Sequence, residues 1–135
     1  MTTVAMNFHK IFKIQDNILL GLSGLATDVL TLHAYLKVRV NLFNLRQNTK
    51  IKPTTFCHLL ASVLYERRWS PFYTSPIVCG LENGKPIIGH FDLIGCLSIG
   101  DTFETAGSAE NMLKGVAETF YKKDMDSETL EEMTA

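Results

Sequence analysis

Few side chains in this sequence combine the residue type and the spacing that catalysis requires. Cys57 and His58 have the types of a thiol–imidazole pair, in which the imidazole takes the proton of the nucleophile. Adjacent residues of a helix point about 100° apart, so these two side chains cannot face each other. We therefore expect the pair to have no catalytic role.

The three cysteines also lack the spacing of a metal or disulfide site. Cys57, Cys79 and Cys96 contain no Cys-x-x-Cys pair, and an odd count argues against a disulfide framework. All three lie in apolar segments, which predicts small buried hydrophobic side chains in a reducing compartment. His33 and His90 have no second ligand at metal spacing, so if they face inward they are expected to be satisfied core histidines rather than ligands. The sequence predicts no metal and no cofactor.

Composition limits the classes of partner. The chain has 135 residues, with 46% hydrophobic and 20% charged, which is ordinary for one globular domain. Its 13 Lys and Arg against 14 Asp and Glu give a net charge of -1, without the positive field that nucleic acid or a membrane surface would require. The sequence shows no spanning apolar run and no signal peptide. We expect a soluble, intracellular single domain over residues 1–135, with no nucleic-acid or membrane partner.

Short apolar runs separated by turn residues predict strands. The turns are indicated by Asp16-Asn17, by Asn83-Gly84 and by Gly100-Asp101, and Asn-Gly is a strong hairpin signal. The predicted strands are Lys10–Ile14, Ile18–Leu22, Thr74–Leu81, Pro86–Phe91, Leu93–Ile99 and Thr102–Ala106.

Apolar residues at steps of three and four predict helices in three places. Thr27 or Asp28 is expected to cap the first helix, Pro53 suits the first turn of the second, and Ser108 is expected to cap the third. The predicted apolar positions are Val29, Leu32, Leu36, Val40 and Phe43, then Phe56, Leu60, Val63 and Leu64, then Met112, Leu113, Val116 and Phe120. A last helix is predicted at Glu128–Met133. Strands in runs and helices in runs indicate a layered α+β fold.

Five stretches, in this order along the chain, resemble the β-type subunits of the proteasome, which belong to the N-terminal-nucleophile hydrolases. They are Lys10–Phe12, Gly21–Asp28, Ser62–Arg68, Gly89–Cys96 and Thr105–Ser108. The resemblance covers roughly residues 8–135. The sequences of Tyr65–Arg68 and Phe91–Cys96 are typical of one non-catalytic subtype. It implies a four-layer αββα sandwich. An opening strand pair would precede Phe8, and the rest of the last helix and closing strands would follow Met133, so an incomplete form of that fold is expected.

The resemblance also implies where catalytic groups would lie. In active members an N-terminal threonine attacks the peptide carbonyl, a lysine assists its deprotonation and a glycine N–H stabilises the oxyanion. Lys10 falls on the lysine position, Gly24 on the oxyanion glycine, and Ser108 on the serine at the turn into the third helix. The subtype implies no catalysis by these three residues. Removal of Met1 would expose Thr2, eight positions from Lys10 and at most about 29 Å away, as an alternative nucleophile.

The implied function is that of a non-catalytic subunit of the 20S β ring, in ubiquitin-dependent protein breakdown in the cytoplasm and nucleus. Its partners would be β subunits of the same and the opposite ring and subunits of the α ring. Two alternatives stay open, a threonine peptidase acting through Thr2 and a truncated fragment that does not assemble. Glu66–Arg68 is expected to be a solvated helix end or a subunit contact, and the aromatic residues of Trp69–Tyr73 to be core or interface.

Overall fold

The computed structural model describes residues 2–135, which form five strands and four helices. The strands are β1 (Ile11–Gln15), β2 (Ile18–Gly24), β3 (Thr74–Glu82), β4 (Lys85–Phe91) and β5 (Leu97–Gly100). The helices are α1 (Ala26–Gln47), α2 (Pro53–Glu66), α3 (Glu110–Phe120) and α4 (Ser127–Thr134). The predicted α+β class is confirmed.

The strands form one antiparallel sheet in the order β1-β2-β3-β4-β5. Both predicted hairpins are present. Asn83 and Gly84 take φ values of 52° and 78°, the two left-handed conformations that a tight hairpin turn requires. Chain order therefore equals spatial order, and each strand is placed by its neighbour in sequence.

One face of the sheet packs against α1 and α2 and forms the core. The alternating residues Ile18, Leu20 and Leu22 of β2 point into it, each at most 1% exposed. Burial of one such side chain stabilises the fold by roughly 1.5–3 kcal/mol. The predicted stripes of both helices supply the opposite side of the core, with Val29, Leu32, Leu36, Val40, Phe56, Leu60, Val63 and Leu64 buried.

The opposite face of the sheet, here called the open face, contacts neither α1 nor α2. Leu19, Cys79 and Ile88 are register partners in a row across β2, β3 and β4, and Leu81 lies beside them on β3. Leu19 and Leu81 are exposed, and so is Cys79, which corrects the expectation that all three cysteines are buried. Cys96 is also exposed, because it ends a surface turn rather than lying within a strand.

The two predicted side-chain caps are wrong. The N-cap of α1 is Leu25, which has no side-chain cap, and the carboxylate of Asp28 accepts a hydrogen bond from the Tyr73 N–H at 2.9 Å instead. The N-cap of α3 is Ala109 rather than Ser108, because a turn from the Gly107 carbonyl to the Glu110 N–H precedes the helix. A tertiary contact therefore replaces the predicted cap at the start of α1, and a preceding turn sets the start of α3.

The strand predicted at Leu93–Ile99 begins four residues later. One carboxylate oxygen of Asp92 accepts hydrogen bonds from the N–H groups of Ile94 (3.0 Å) and Cys96 (2.7 Å), and Gly95 takes a φ of 94°. These bonds hold a turn where an extended strand was expected. The segment predicted as a strand at Thr102–Ala106 has no regular structure.

Helices α3 and α4 are mostly exposed. The predicted apolar stripe of α3 lies in solvent, and Ala117 is the one buried residue of that helix. No helix within residues 2–135 has both the length and the apolar character needed to cross a bilayer.

Candidate functional site

The junction between β2 and α1 is built around Gly24. Its φ of 125° lies where side chains are strained, and an added Cβ would collide with the Tyr73 carbonyl oxygen and lie 3.0 Å from Cα of Thr74. The same carbonyl accepts the Leu25 N–H at 2.9 Å. The carboxylate of Asp28 also accepts the Tyr73 N–H, so both the N–H and the carbonyl of Tyr73 are bound to the start of α1. The glycine allows the sheet and the helix to approach this closely.

Lys10 lies just before β1 at the same end of the sheet. Its carbonyl accepts the Leu22 N–H at 2.8 Å, which places it across from β2 two residues before Gly24. The side chain is exposed and makes no ion pair among the described residues.

Ser108 is brought to this end of the sheet by the loop before α3. A Cβ on its neighbour Gly107 would lie 3.8 Å from the Ser23 hydroxyl, so the loop crosses the end of β2. The Ser108 side chain is exposed. Lys10, Gly24 and Ser108 therefore lie at the same end of the sheet, and in the described part of the chain the side chains of Lys10 and Ser108 are not hydrogen-bonded to each other.

Ser23 is the residue of this region that sequence reasoning missed. Its hydroxyl is buried and has no hydrogen-bond partner among residues 2–135. Its position between Leu22 and Gly24, at the end of a strand, is the sequence feature that could have identified it. A buried hydroxyl without a partner is uncommon in proteins.

The alternative nucleophile is not positioned by this structure. Thr2 is exposed in an irregular segment and makes no hydrogen bond to Lys10. Met1, whose removal the alternative requires, lies outside the described residues.

The thiol and imidazole groups remain apart. Cys57 is buried beneath Gly89, where burial, with smaller contributions from Cys79 and Glu82, raises the pKa of its thiol to about 11, while His58 is exposed. His33 stacks on the ring of Phe12 at 4.1 Å, and its pKa is lowered by burial and then by Lys37.

Metal ligands do not gather in the described part of the chain. Residues 2–135 contain no group of three His, Cys, Asp or Glu side chains able to hold a metal ion.

The aromatic segment after α2 divides between core and surface. Phe72 is buried with the Arg67 guanidinium over its ring, whereas Trp69 is 90% exposed beneath Arg68. Tyr73 is exposed as well. Phe72 thus has the predicted core position, and the interface alternative for Trp69 and Tyr73 stays a prediction.

Comparison with known proteins gives a consistent family. The family model described as "Proteasome subunit" matches residues 1–135. The chain is 42% identical over 131 residues to "Proteasome subunit beta type-3" of Picea mariana, covering 96% of this chain and 64% of that protein. It is 40% identical over 129 residues to the protein of the same name in Saccharomyces cerevisiae, covering 94% and 62%.

A third relative has the same subtype in its name. "Probable proteasome subunit beta type-3" of Schizosaccharomyces pombe is 40% identical over 125 residues, covering 92% of this chain and 61% of that protein. The chain thus spans less than two thirds of the length of these relatives. The sheet, with α1 and α2 on one face, is consistent with an incomplete αββα sandwich. The chain belongs to the proteasome subunit family and is similar to its beta type-3 members.

Proposed function

We propose that this chain is a non-catalytic, structural subunit of the β ring of a 20S proteasome core. Its contribution to protein breakdown would come from shaping the ring and positioning its catalytic neighbours. The similarity to proteins named beta type-3 supports a β-type subunit.

The arrangement around Gly24 is the observation that carries the structural role. Gly24 is needed for the close approach of α1 to Tyr73, and the backbone of Lys10 is part of the sheet through its bond to Leu22. Both residues therefore have a folding role that does not depend on chemistry at a substrate. The exposed side chain of Lys10, together with the unpositioned Thr2, supports this interpretation over a peptidase acting through Thr2.

The partners we propose are β subunits of the same and the opposite ring and subunits of the α ring. The exposed aromatic residues Trp69 and Tyr73 support such contacts, because aromatic side chains are enriched in protein–protein interfaces.

The test is incorporation of tagged variants into a purified 20S particle, followed by mass spectrometry and fluorogenic peptide cleavage. We expect Lys10→Ala and Thr2→Ala to be incorporated and to leave every peptidase activity unchanged. Gly24→Val should fail to enter the ring, because its side chain meets the Tyr73 carbonyl. Labelling of Thr2 by a threonine-directed covalent inhibitor, or loss of one activity in Lys10→Ala, would favour the peptidase. Absence of the unmodified chain from the particle would favour the non-assembling fragment.

A further inference from the structure

A cleft of about 350 Å³ lies between β1 and one side of α1, at the edge of the sheet. Its apolar floor includes Phe12, Ile14 and Val40. Phe12 also stacks on His33, which fixes one wall. This cleft, here called the edge cleft, is separate from the junction at Gly24.

The polar lining of the edge cleft is basic. It includes Lys13, Lys37, His9 and His33, and no carboxylate among the described residues lines it. Lys13 is the register partner of Leu19, so its side chain lies on the side of the open face, where it pairs with Asp16 at 3.2 Å. Lys37 makes no ion pair in the described part of the chain, and its charge contributes to lowering the pKa of His33. The cleft therefore offers an unbalanced positive charge.

The strand that forms one side of the cleft also has an unused edge. β1 pairs with β2 alone in the described sheet. Because the Lys10 carbonyl accepts the Leu22 N–H, the residues that alternate with Lys10 face β2, and the backbone groups of Ile11 and Lys13 point outward. An unpaired edge of this kind is a template for a further strand.

We propose that the edge cleft binds an extended acidic peptide segment of another polypeptide, which adds as a strand to β1. Backbone hydrogen bonds to Ile11 and Lys13 supply the affinity, and carboxylates on alternate residues meet Lys37 on the helix side. The intervening residues then lie on the side of the open face, where an apolar side chain packs beside Ile11, which is 71% exposed. The bound segment thus alternates acidic and apolar residues. The site belongs to this chain whether or not the ring role holds.

The test measures binding of the acetylated and amidated peptide Glu-Val-Glu-Val-Glu-Val to the full chain, immobilised at low density on a biosensor. We expect Lys37→Glu to weaken binding by about tenfold, and Lys37→Arg to retain it, because the charge pair is the source of selectivity. Lys123→Glu is the matched charge reversal on a distant exposed loop and should change the Kd by less than about twofold.

A second variant separates strand addition from simple charge attraction. Ile11→Pro removes an outward N–H that the fold does not use, a position where an edge strand tolerates proline, so the chain should keep its circular dichroism spectrum. We expect it to weaken peptide binding by about fivefold.

Three results would overturn the proposal. Unchanged binding in Ile11→Pro, with full competition by glutarate, would mean a small-anion site only. Equal binding of Lys-Val-Lys-Val-Lys-Val would remove the role of charge. Equal effects of Lys37→Glu and Lys123→Glu would place the interaction outside the edge cleft.

Discussion

Gly24 occupies a conformation that strains any side chain and a space that excludes one. Gly24→Ala should lower the free energy of unfolding by about 2–5 kcal/mol, from left-handed strain plus the forced shift of the Tyr73 carbonyl. Urea unfolding followed by circular dichroism measures this change.

Gly84→Ala is the matched control for Gly24→Ala. Gly84 also has a positive φ, of 78°, but an added Cβ meets nothing within 4 Å. It should therefore lose only the strain, about 1–2 kcal/mol. Equal losses in the two variants would show that close packing at the junction contributes nothing.

The buried thiol of Cys57 makes stability depend on pH in the alkaline range. Burial raises its pKa from 9.0 to about 11, so between these values the unfolded chain loses the proton while the folded chain keeps it. The contribution is complete below pH 9.0 and is lost as the pH rises toward about 11, so the free energy of unfolding should fall over this range.

The measurement for Cys57 is urea unfolding at a series of alkaline pH values. Cys57→Ala should flatten part of the decline, although it lowers stability at every pH, whereas Cys96→Ala at the surface should leave the decline unchanged. The same slope in all three proteins would contradict the assignment to Cys57.

Single residues were predicted well where neighbouring residues in the sequence determine their conformation. They were predicted poorly where a group distant in the sequence determines their contacts. The φ values of Asn83 and Gly84 follow from an Asn-Gly turn, and they are observed. Asp28 was predicted as a cap, but its carboxylate is used by Tyr73, 45 positions away. The positions of Lys10, Gly24 and Ser108 came from family resemblance, since no spacing rule relates them.

At the scale of elements, the turn between β4 and β5 depends on one carboxylate. Asp92→Ala removes the acceptor for the N–H groups of Ile94 and Cys96 and should cost about 1–2 kcal/mol. Thermal unfolding measures the loss. Asp92→Asn keeps an acceptor oxygen and should recover most of it, so an asparagine variant as unstable as the alanine variant would point to charge instead.

The same turn explains why an element boundary was mispredicted. An apolar run such as Leu93–Ile99 fits a strand by composition, yet side-chain bonds to the backbone compete with extension. The turn also depends on Gly95, because a Cβ at this position would collide with the Ala61 carbonyl of α2. Helices α1 and α2 were predicted well, since their stripes alone decide which side is buried.

For the whole molecule, the open face predicts self-association of the isolated chain. Leu19 and Leu81 are 47% and 56% exposed on one sheet surface, beside Cys79 and Ile88. The pair Leu19→Lys and Leu81→Glu should shift sedimentation toward monomer, because contact between two such faces would then bury charged side chains, which costs desolvation free energy.

The control for the open face is an equal change on α1. Leu45→Lys with Val38→Glu alters two residues that are also exposed, on a different surface. It should leave the association unchanged. Monomer produced by this pair and not by the sheet pair would identify α1 as the contact.

The fold class could be predicted from the order of elements, but the exposure of whole surfaces could not. The stripe of Met112, Leu113, Val116 and Phe120 is amphipathic, which predicts burial, yet these residues lie in solvent. An amphipathic pattern specifies that a face needs a partner and contains no information on whether the partner is in the same chain.

The fluorescence of Trp69 can report contact with a neighbouring subunit. It is the single tryptophan of the sequence, and its ring is already in solvent when the chain is folded. Unfolding should therefore move its fluorescence emission very little, whereas coverage of the ring by a neighbouring subunit should shift the emission to shorter wavelength. Fluorescence of the unlabelled chain would then follow contact at this surface and remain nearly silent to folding.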